Sequence, residues 1–341
     1  MSSRGSMCAL LAMVALFTGT APAWSASPTP NLSLESVNSA EWRGKGRTIP
    51  PPVLVKLQVL LDRAHASPGQ IDGARGENTR KAIGAYRQMR GLSGGEQIDA
   101  QLWRALNGGD ANPALVTYTI AEKDVSGPFI EKVPEDYREK ASLKRLDYTS
   151  AQELLAEKFH MSEELLRRLN PDAVFDQAGT QLVVANVQRE ELPRKISRIE
   201  VDASQQRVRA YAKDDTIVAI YPATVGSSER PTPVGEYKVT AVAENPTYHY
   251  DPSLNLRGVE VEEKLELPPG PNSPVGLVWI ALSAKGYGIH GTPEPEVVSK
   301  RASHGCIRLT NWDALELAKH VRKGTPVYIL TSQARQRSAR F

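Results

Sequence analysis

One cysteine and two histidines near the C-terminus form the part of the sequence best equipped for chemistry. His290-Gly291-Thr292 comes first, and Ser303-His304-Gly305-Cys306-Ile307-Arg308-Leu309 follows. The chain has two cysteines. We expect Cys8 to be removed with an N-terminal segment, which leaves Cys306 without a disulfide partner in the chain. Because a thiol becomes an efficient nucleophile when an imidazole takes its proton, the pattern predicts cysteine-based acyl transfer through a thioester, with His290 as the base.

The backbone beside Cys306 suits that chemistry. The N–H groups of Gly305 and Cys306 are expected to form an oxyanion hole, and a glycine there leaves room for the substrate carbonyl. Two other interpretations stay open: a zinc site recruiting His290, His304, Cys306 and His320, or a buried, inert cysteine. Because a His-x-Cys pair lacks the gap usual between zinc ligands, we expect neither a metal nor a cofactor.

The composition is that of an ordinary globular protein. Apolar residues make up 40% and charged residues 24% of the 341 positions, and the net charge is +3. So small a charge gives no support for nucleic-acid binding. Two or three domains are expected at this length.

The first 26 residues have the pattern of a signal peptide. A positive end at Arg4 precedes a short apolar run, and residues 21–26 offer small-residue cleavage positions. The run is shorter than the roughly 20 residues of a membrane-spanning helix. We therefore expect an exported protein of the periplasm or cell wall, without a stable membrane span. Residues 27–52 are expected to be a linker, and residues 332–341 a basic tail.

Residues 53–110 predict three helices. Leu54, Leu57, Leu60 and Leu61 share one face of the first helix. Asn78 is the predicted N-cap of the second, and Asp99 of the third. Residues 114–188 predict a strand, a Pro- and charge-rich insertion, two helices and a final strand, with Ser162 capping the second helix.

Residues 196–331 predict a mostly-β catalytic domain with one clear helix at 312–321. Short β-prone runs are separated by turns, and strands are expected at 286–290 and 327–330. Residues 243–275 are Pro-rich and poorly periodic, which favours a long functional lid. His249 lies in that lid, where solvent exposure is expected and a substrate contact is the alternative. The predicted fold is thus multidomain, a mostly-β catalytic domain preceded by a small three-helix domain and a βααβ module.

These segments resemble three known families. Tyr287-Gly288-Ile289-His290-Gly291-Thr292, together with the Ser303–Leu309 motif, strongly resembles the L,D-transpeptidase catalytic domain (the YkuD fold) over about residues 196–330. Residues 53–110 resemble the small three-helix peptidoglycan-binding domain, although Tyr86-Arg87 stands in place of the usual Phe-Gln. Residues 114–188 resemble the LysM module, with Leu169-Asn170-Pro171 and the last strand fitting best. For both upstream segments, a spacer without a ligand remains the alternative.

The catalytic resemblance implies roles for the matching residues. Cys306 would be the nucleophile, and His290 the base, oriented by the backbone carbonyl of Gly291. His304 and Gly305 would shape the oxyanion pocket. Substrate contacts are expected at Ser303, Arg308, Tyr287 and Gly288. Ser303 would also support the turn. Arg308 would either hold a substrate carboxylate or brace the loop.

The same resemblance implies a substrate. Cys306 would attack a peptidoglycan tetrapeptide stem, release D-alanine and pass the acyl group to an amine on a second stem, giving a 3→3 cross-link. Water as acceptor would make the enzyme an L,D-carboxypeptidase, and a protein lysine would make it a wall-anchoring enzyme. The implied partners are stem peptides and glycan strands. A non-catalytic wall-binding protein is the alternative from a different class.

Overall fold

The computed structural model describes residues 32–44, 48–226, 231–254, 259–300 and 305–331. The predicted signal peptide, the basic tail and the two site residues Ser303 and His304 lie outside these ranges. Among the described residues, no helix is both long and apolar enough to cross a bilayer.

Four helices form the first part of the chain: α1 (Leu34–Asn38), α2 (Pro51–Arg63), α3 (Glu77–Arg90) and α4 (Ala100–Gly108). Helix α2 begins after Pro50 and carries prolines in its first turn, where the missing N–H costs no hydrogen bond. The four leucines predicted to share a face of α2 are all buried. Their burial anchors the helix in the core.

Of the two N-caps predicted for the next two helices, one is confirmed and the other is wrong. Asp99 caps α4 as predicted, because its carboxylate accepts a hydrogen bond from the Leu102 N–H. The prediction for Asn78 is wrong, since α3 begins one residue before it. The Asn78 side chain is buried and donates to the Val298 carbonyl at 3.0 Å. The side-chain amide that the local pattern assigned to the start of the helix therefore binds a residue distant in sequence.

The next segment has the predicted order of strand, two helices and strand, with additional helices inside the insertion. Its elements are β1 (Leu115–Thr119), α5 (Glu122–Val125), α6 (Tyr137–Ser142), α7 (Ala151–Lys158), α8 (Glu163–Leu169) and β2 (Gln181–Ala185). Strands β1 and β2 pair antiparallel. Ser162 caps α8 as predicted, accepting from the Leu165 N–H.

A mixed sheet dominates the C-terminal part. Its strands are β3 (Arg198–Asp202), β4 (Arg207–Tyr211), β5 (Ile217–Pro222), β6 (Thr224–Val225), β7 (Gly235–Glu244), β10 (Val278–Leu282), β11 (Gly288–His290), β12 (Ile307–Arg308) and β13 (Pro326–Leu330). Within the described residues the strand order is β5-β4-β3-β13-β7-β10-β11-β12-β6. The pairs β13–β3 and β11–β12 are parallel. Helix α9 (Asn311–His320) packs its buried Ala314 and Leu317 into the core of this sheet.

The predicted lid contains regular structure. Residues 243–275 include the end of β7 and two strands, β8 (Tyr248–Tyr250) and β9 (Leu265–Leu267), which form an antiparallel pair. One short 3₁₀ turn lies between them at Pro252–Leu254, and another follows β11 at Pro295–Val297. Strands of three residues between prolines are too short to give a readable period, which explains why the sequence predicts only a loop.

The segments predicted as separate modules share cores. Ile220 of β5 is buried with Leu57 and Leu61 of α2. Val55 and Val59 of α2 are buried with the hydrophobic residues of α7, α8 and β2. Backbone hydrogen bonds join the same segments, since the Ser67 N–H donates to the Ile220 carbonyl at 2.9 Å. The described residues from Leu32 onward accordingly belong to one compact unit.

A buried ionic cluster lies where the three segments meet. The Arg189 guanidinium pairs with Asp62 of α2 at 2.6 Å, and with Asp313 at 3.0 Å and Glu316 at 2.6 Å, both on α9. The His160 imidazole contacts Asp62 at 3.1 Å. Arg189 holds the pKa of Asp62 well below its usual range, against the effect of burial. Because buried charges are costly unless paired, these contacts fix the relative positions of the segments.

Candidate active site

Two parallel strands place His290 beside Cys306. Strand β11 ends at His290, and β12 begins directly after Cys306. In the parallel pair, Ile289 lies opposite Ile307, and the Leu309 N–H donates to the His290 carbonyl at 2.8 Å. His290 and Cys306, sixteen positions apart in the sequence, therefore open onto the same groove, whose volume is about 460 Å³.

The imidazole of His290 is held in one orientation. The ring is buried, it stacks on Trp279 at a centroid distance of 5.3 Å, and its Nδ1 lies 2.6 Å from the Gly291 carbonyl oxygen. A carbonyl can only accept, so Nδ1 carries the proton and Nε2 keeps a free lone pair. Burial, with a smaller contribution from the Arg308 charge, lowers the pKa of His290 to about 3. The ring is therefore neutral at physiological pH and able to accept a proton.

The Cys306 thiol is half-buried. Burial raises its pKa, and the backbone amide of Gly288 and the charge of Arg308 act in the opposite direction. Its sulfur lies 3.8 Å from the Gly286 carbonyl oxygen. Because burial raises the pKa of the thiol and lowers that of the imidazole, both groups are expected to be uncharged at neutral pH.

Gly305 and Thr232 shape the turn before the cysteine. Gly305 has φ +110°, and a Cβ there would lie 2.9 Å from the Tyr287 ring. Both facts restrict the position to glycine. The buried Thr232 hydroxyl donates to the Gly305 carbonyl at 2.6 Å. Thr232 begins the Thr-Pro-Val-Gly stretch of the sequence, and this hydrogen bond gives that stretch a function in positioning Cys306.

Asn311 packs closely against Gly291, the residue whose carbonyl orients His290. Its side-chain oxygen accepts from the Leu277 N–H at 3.0 Å, and its amide donates to Glu157 at 2.9 Å and to the Pro271 carbonyl at 3.2 Å. A Cβ on Gly291 would lie 2.1 Å from the same oxygen. No signal in the sequence points to Asn311, because all its partners are distant along the chain.

The groove is aromatic and basic. Tyr137, Tyr248 and Trp279 line it together with Lys285 and Arg308. Among the described residues lining it there is no carboxylate. Such a surface favours an anionic, partly apolar ligand such as a peptide with free carboxylates.

The structure brings together most of the site residues predicted from sequence. Cys306, His290, Tyr287 and Arg308 line the groove, and Gly288, Gly291 and Gly305, each next to one of these residues in the chain, are buried. His249 is exposed and also lines the groove, and its Nδ1 lies 3.3 Å from the Glu266 carboxylate. His320 ends α9 and does not line the groove. In the described part of the chain, no three His, Cys, Asp or Glu side chains gather as metal ligands do.

Comparison with known proteins identifies the C-terminal part. The model of the YkuD family, the L,D-transpeptidase catalytic domain, matches residues 196–329. The chain is 32% identical over 180 residues to "Putative L,D-transpeptidase YkuD" of Bacillus licheniformis, covering 52% of this chain and 92% of that protein. This chain belongs to the L,D-transpeptidase family. The expectation of a mostly-β YkuD catalytic domain is thereby confirmed.

Other L,D-transpeptidases match a smaller share of their own length. "Probable L,D-transpeptidase ErfK/SrfK" of Escherichia coli is 33% identical over 165 residues, or 47% of this chain and 52% of that protein. The chain therefore spans about half the length of that relative. The catalytic domain of the Enterococcus faecium L,D-transpeptidase, solved by NMR, is 29% identical with a TM-score of 0.31, covering 40% of this chain and 99% of that one.

Proposed function

We propose that this L,D-transpeptidase family member is a cysteine acyltransferase acting on peptidoglycan stems. Cys306 attacks the carbonyl that joins the third stem residue to the terminal D-alanine. His290 takes the thiol proton through Nε2 and delivers it to the departing D-alanine amine. An amine of a second stem then attacks the thioester, which restores the thiol and leaves a 3→3 cross-link.

One observation carries this proposal. The Nδ1 atom of His290 is bound to the Gly291 carbonyl, and the ring lines the same groove as the Cys306 thiol, whose pKa is raised by burial. That arrangement is what general-base activation of a thiol requires. The N–H groups of Gly305 and Cys306 are the proposed donors to the tetrahedral oxyanion, and Arg308 is the proposed cation for a stem carboxylate. The basic groove supports an anionic peptide as substrate.

Incubation of the full chain with a soluble disaccharide-tetrapeptide tests the proposal. Mass spectrometry of the products should show free D-alanine and a cross-linked dimer, and neither with Cys306→Ala. Hydrolysed tripeptide without dimer would favour the L,D-carboxypeptidase. A stem–protein conjugate, formed when a lysine-bearing protein is supplied and in place of the dimer, would favour wall anchoring. No released D-alanine would favour a non-catalytic wall-binding protein.

The proposal also assigns functions to the upstream segments and the N-terminus. We propose that residues 53–110 and 114–188 bind the wall, with glycan strands as a second partner, and that residues 1–26 direct export to the periplasm or cell wall. Full-length Cys306→Ala should sediment with purified sacculi even in the presence of saturating tetrapeptide. Release by the peptide would mean that the catalytic groove alone binds the wall. The mature N-terminus, read by mass spectrometry, tests the export signal.

A further inference from the structure

We propose that Tyr137, on the upstream helix α6, is a specificity-determining residue of the catalytic groove. It contacts the part of the donor peptide that lies on the Arg308 side of Cys306. The inference rests on the proposed function. It adds that one wall of the groove comes from outside the catalytic domain, from the upstream segment.

Helix α6 packs directly on the β8–β9 hairpin. A small hydrophobic cluster joins them, and its buried members are Leu146, Tyr250, Val261 and Leu267. Tyr137 packs against this cluster and meets Tyr250 edge-to-face at a centroid distance of 5.2 Å. On the surface, the Arg138 guanidinium binds Glu263 through two hydrogen bonds of 2.6 and 3.0 Å. The hairpin is therefore held by the upstream segment.

The segment after α6 is fixed to the loop that precedes the groove residues Pro274 and Val275. The Leu146 N–H donates to the Pro269 carbonyl at 2.9 Å, and the Asn272 N–H donates to the Leu146 carbonyl at the same distance. The Asn272 side chain also donates to Glu153 of α7 at 2.8 Å. These contacts define the position of Tyr137 relative to the catalytic residues.

The ring of Tyr137 faces the groove beside the reacting groups. It lines the groove with Tyr248, Arg308 and Cys306. The Lys140 ammonium lies 4.9 Å from its centroid on the helix side. Burial raises the pKa of Tyr137, and the nearby Arg308 charge opposes that effect. A half-buried phenol in this position offers an apolar face to a bound peptide, so its loss should weaken donor binding more than it slows chemistry.

Measurements of peptide binding and of thiol reactivity on the full chain separate a role of Tyr137 in donor binding from a role in the chemical step. In the Cys306→Ala background, calorimetry with a soluble tetrapeptide should give a Kd about five- to tenfold higher for Tyr137→Ala, the loss expected for one aromatic contact. In the active chain, KM should rise by the same factor with little change in kcat. Alkylation of Cys306 by iodoacetamide, which is too small to need this wall, should keep its rate.

Tyr118→Ala is the matched control. Tyr118 also lies in the upstream segment and meets Phe159 edge-to-face at 4.9 Å, but it does not line the groove. It should leave the Kd unchanged. An unchanged Kd for Tyr137→Ala, or a parallel loss of iodoacetamide reactivity, would overturn the inference. Peptide binding without D-alanine release would refute the proposed function alone, and absence of any peptide binding would refute both.

Discussion

The Cys306 thiol is predicted to be protonated in the resting enzyme, and this prediction tests the electrostatics of the site. Burial raises its pKa above the ordinary value. At pH 7 the thiolate should therefore be no more than about 3% of the total. The fall of the His290 pKa from 6.5 to about 3 disfavours the imidazolium by about 5 kcal/mol. A preformed thiolate–imidazolium pair is therefore not expected.

Ultraviolet absorbance of the thiolate measures this state directly. The difference between the wild-type chain and Cys306→Ala, followed from about pH 5 to about pH 10, should rise only near the alkaline end. Subtraction removes the tyrosine signal and that of any Cys8 present. His290→Gln should leave the titration nearly unchanged, because the imidazole carries no charge at neutral pH. The same variant should lower kcat by about 10²- to 10⁴-fold, the usual contribution of a general base.

One result would refute the reasoning. If the wild-type chain showed strong thiolate absorbance near neutral pH and His290→Gln abolished it, the two residues would form an ion pair at rest. His290 would then stabilise the thiolate by its charge rather than act as a base during the reaction.

Three further predictions concern the surroundings of the site. Arg189→Met leaves three carboxylates without their shared guanidinium and should lower the free energy of unfolding by about 3–5 kcal/mol in denaturant titrations. The control Arg194→Met, at an exposed ion pair, should lower it by less than about 1 kcal/mol. Equal losses would contradict the importance of the buried cluster. Gly305→Ala should reduce kcat/KM for the tetrapeptide at least about tenfold, through about 1–3 kcal/mol of local strain, and normal kinetics would show that the turn tolerates a side chain. Burial raises the pKa of Glu157 from 4.5 to about 7, so its stabilising contribution, complete below about pH 4.5, is lost as the pH rises to about 7. Glu157→Gln should therefore raise the thermal midpoint at about pH 8 and leave it unchanged at about pH 4, and a pH-independent effect would contradict the shift.

The reactive part of the site was predictable because its residues are close in sequence. Cys306, His290 and Gly291 lie at or next to the ends of two neighbouring strands, and a short motif encodes both the strands and the tight turn. Their types alone indicate the chemistry, since a lone thiol near a histidine has few other uses.

The supporting contacts were not predictable, because they join distant parts of the chain. Asn311 reaches Glu157 of the upstream segment, and Thr232 reaches Gly305. Tyr137 lies in a charge-rich insertion whose sequence gives no reason to place it at the groove. Predicting such contacts requires knowing how the segments pack in three dimensions, whereas the sequence indicates independent modules.

The same limit explains one wrong prediction and one contact that the sequence does not indicate. The amide of Asn78 has the chemistry of a helix cap, but the Val298 carbonyl, distant in sequence, is its partner. Arg189 lies in a stretch of mixed charge, and nothing local indicates that it meets carboxylates on α2 and α9. Local propensity predicts elements well and predicts the contacts between them poorly.

Trapping the acyl-enzyme tests the central claim most directly. After rapid mixing of the full chain with a tetrapeptide stem and acid quenching, intact-protein mass spectrometry should show one adduct equal to the stem without D-alanine. Peptide mapping should place it on Cys306, and Cys306→Ala should carry none. An adduct on another residue, or D-alanine release that persists in Cys306→Ala, would contradict the claim that this thiol carries the acyl group.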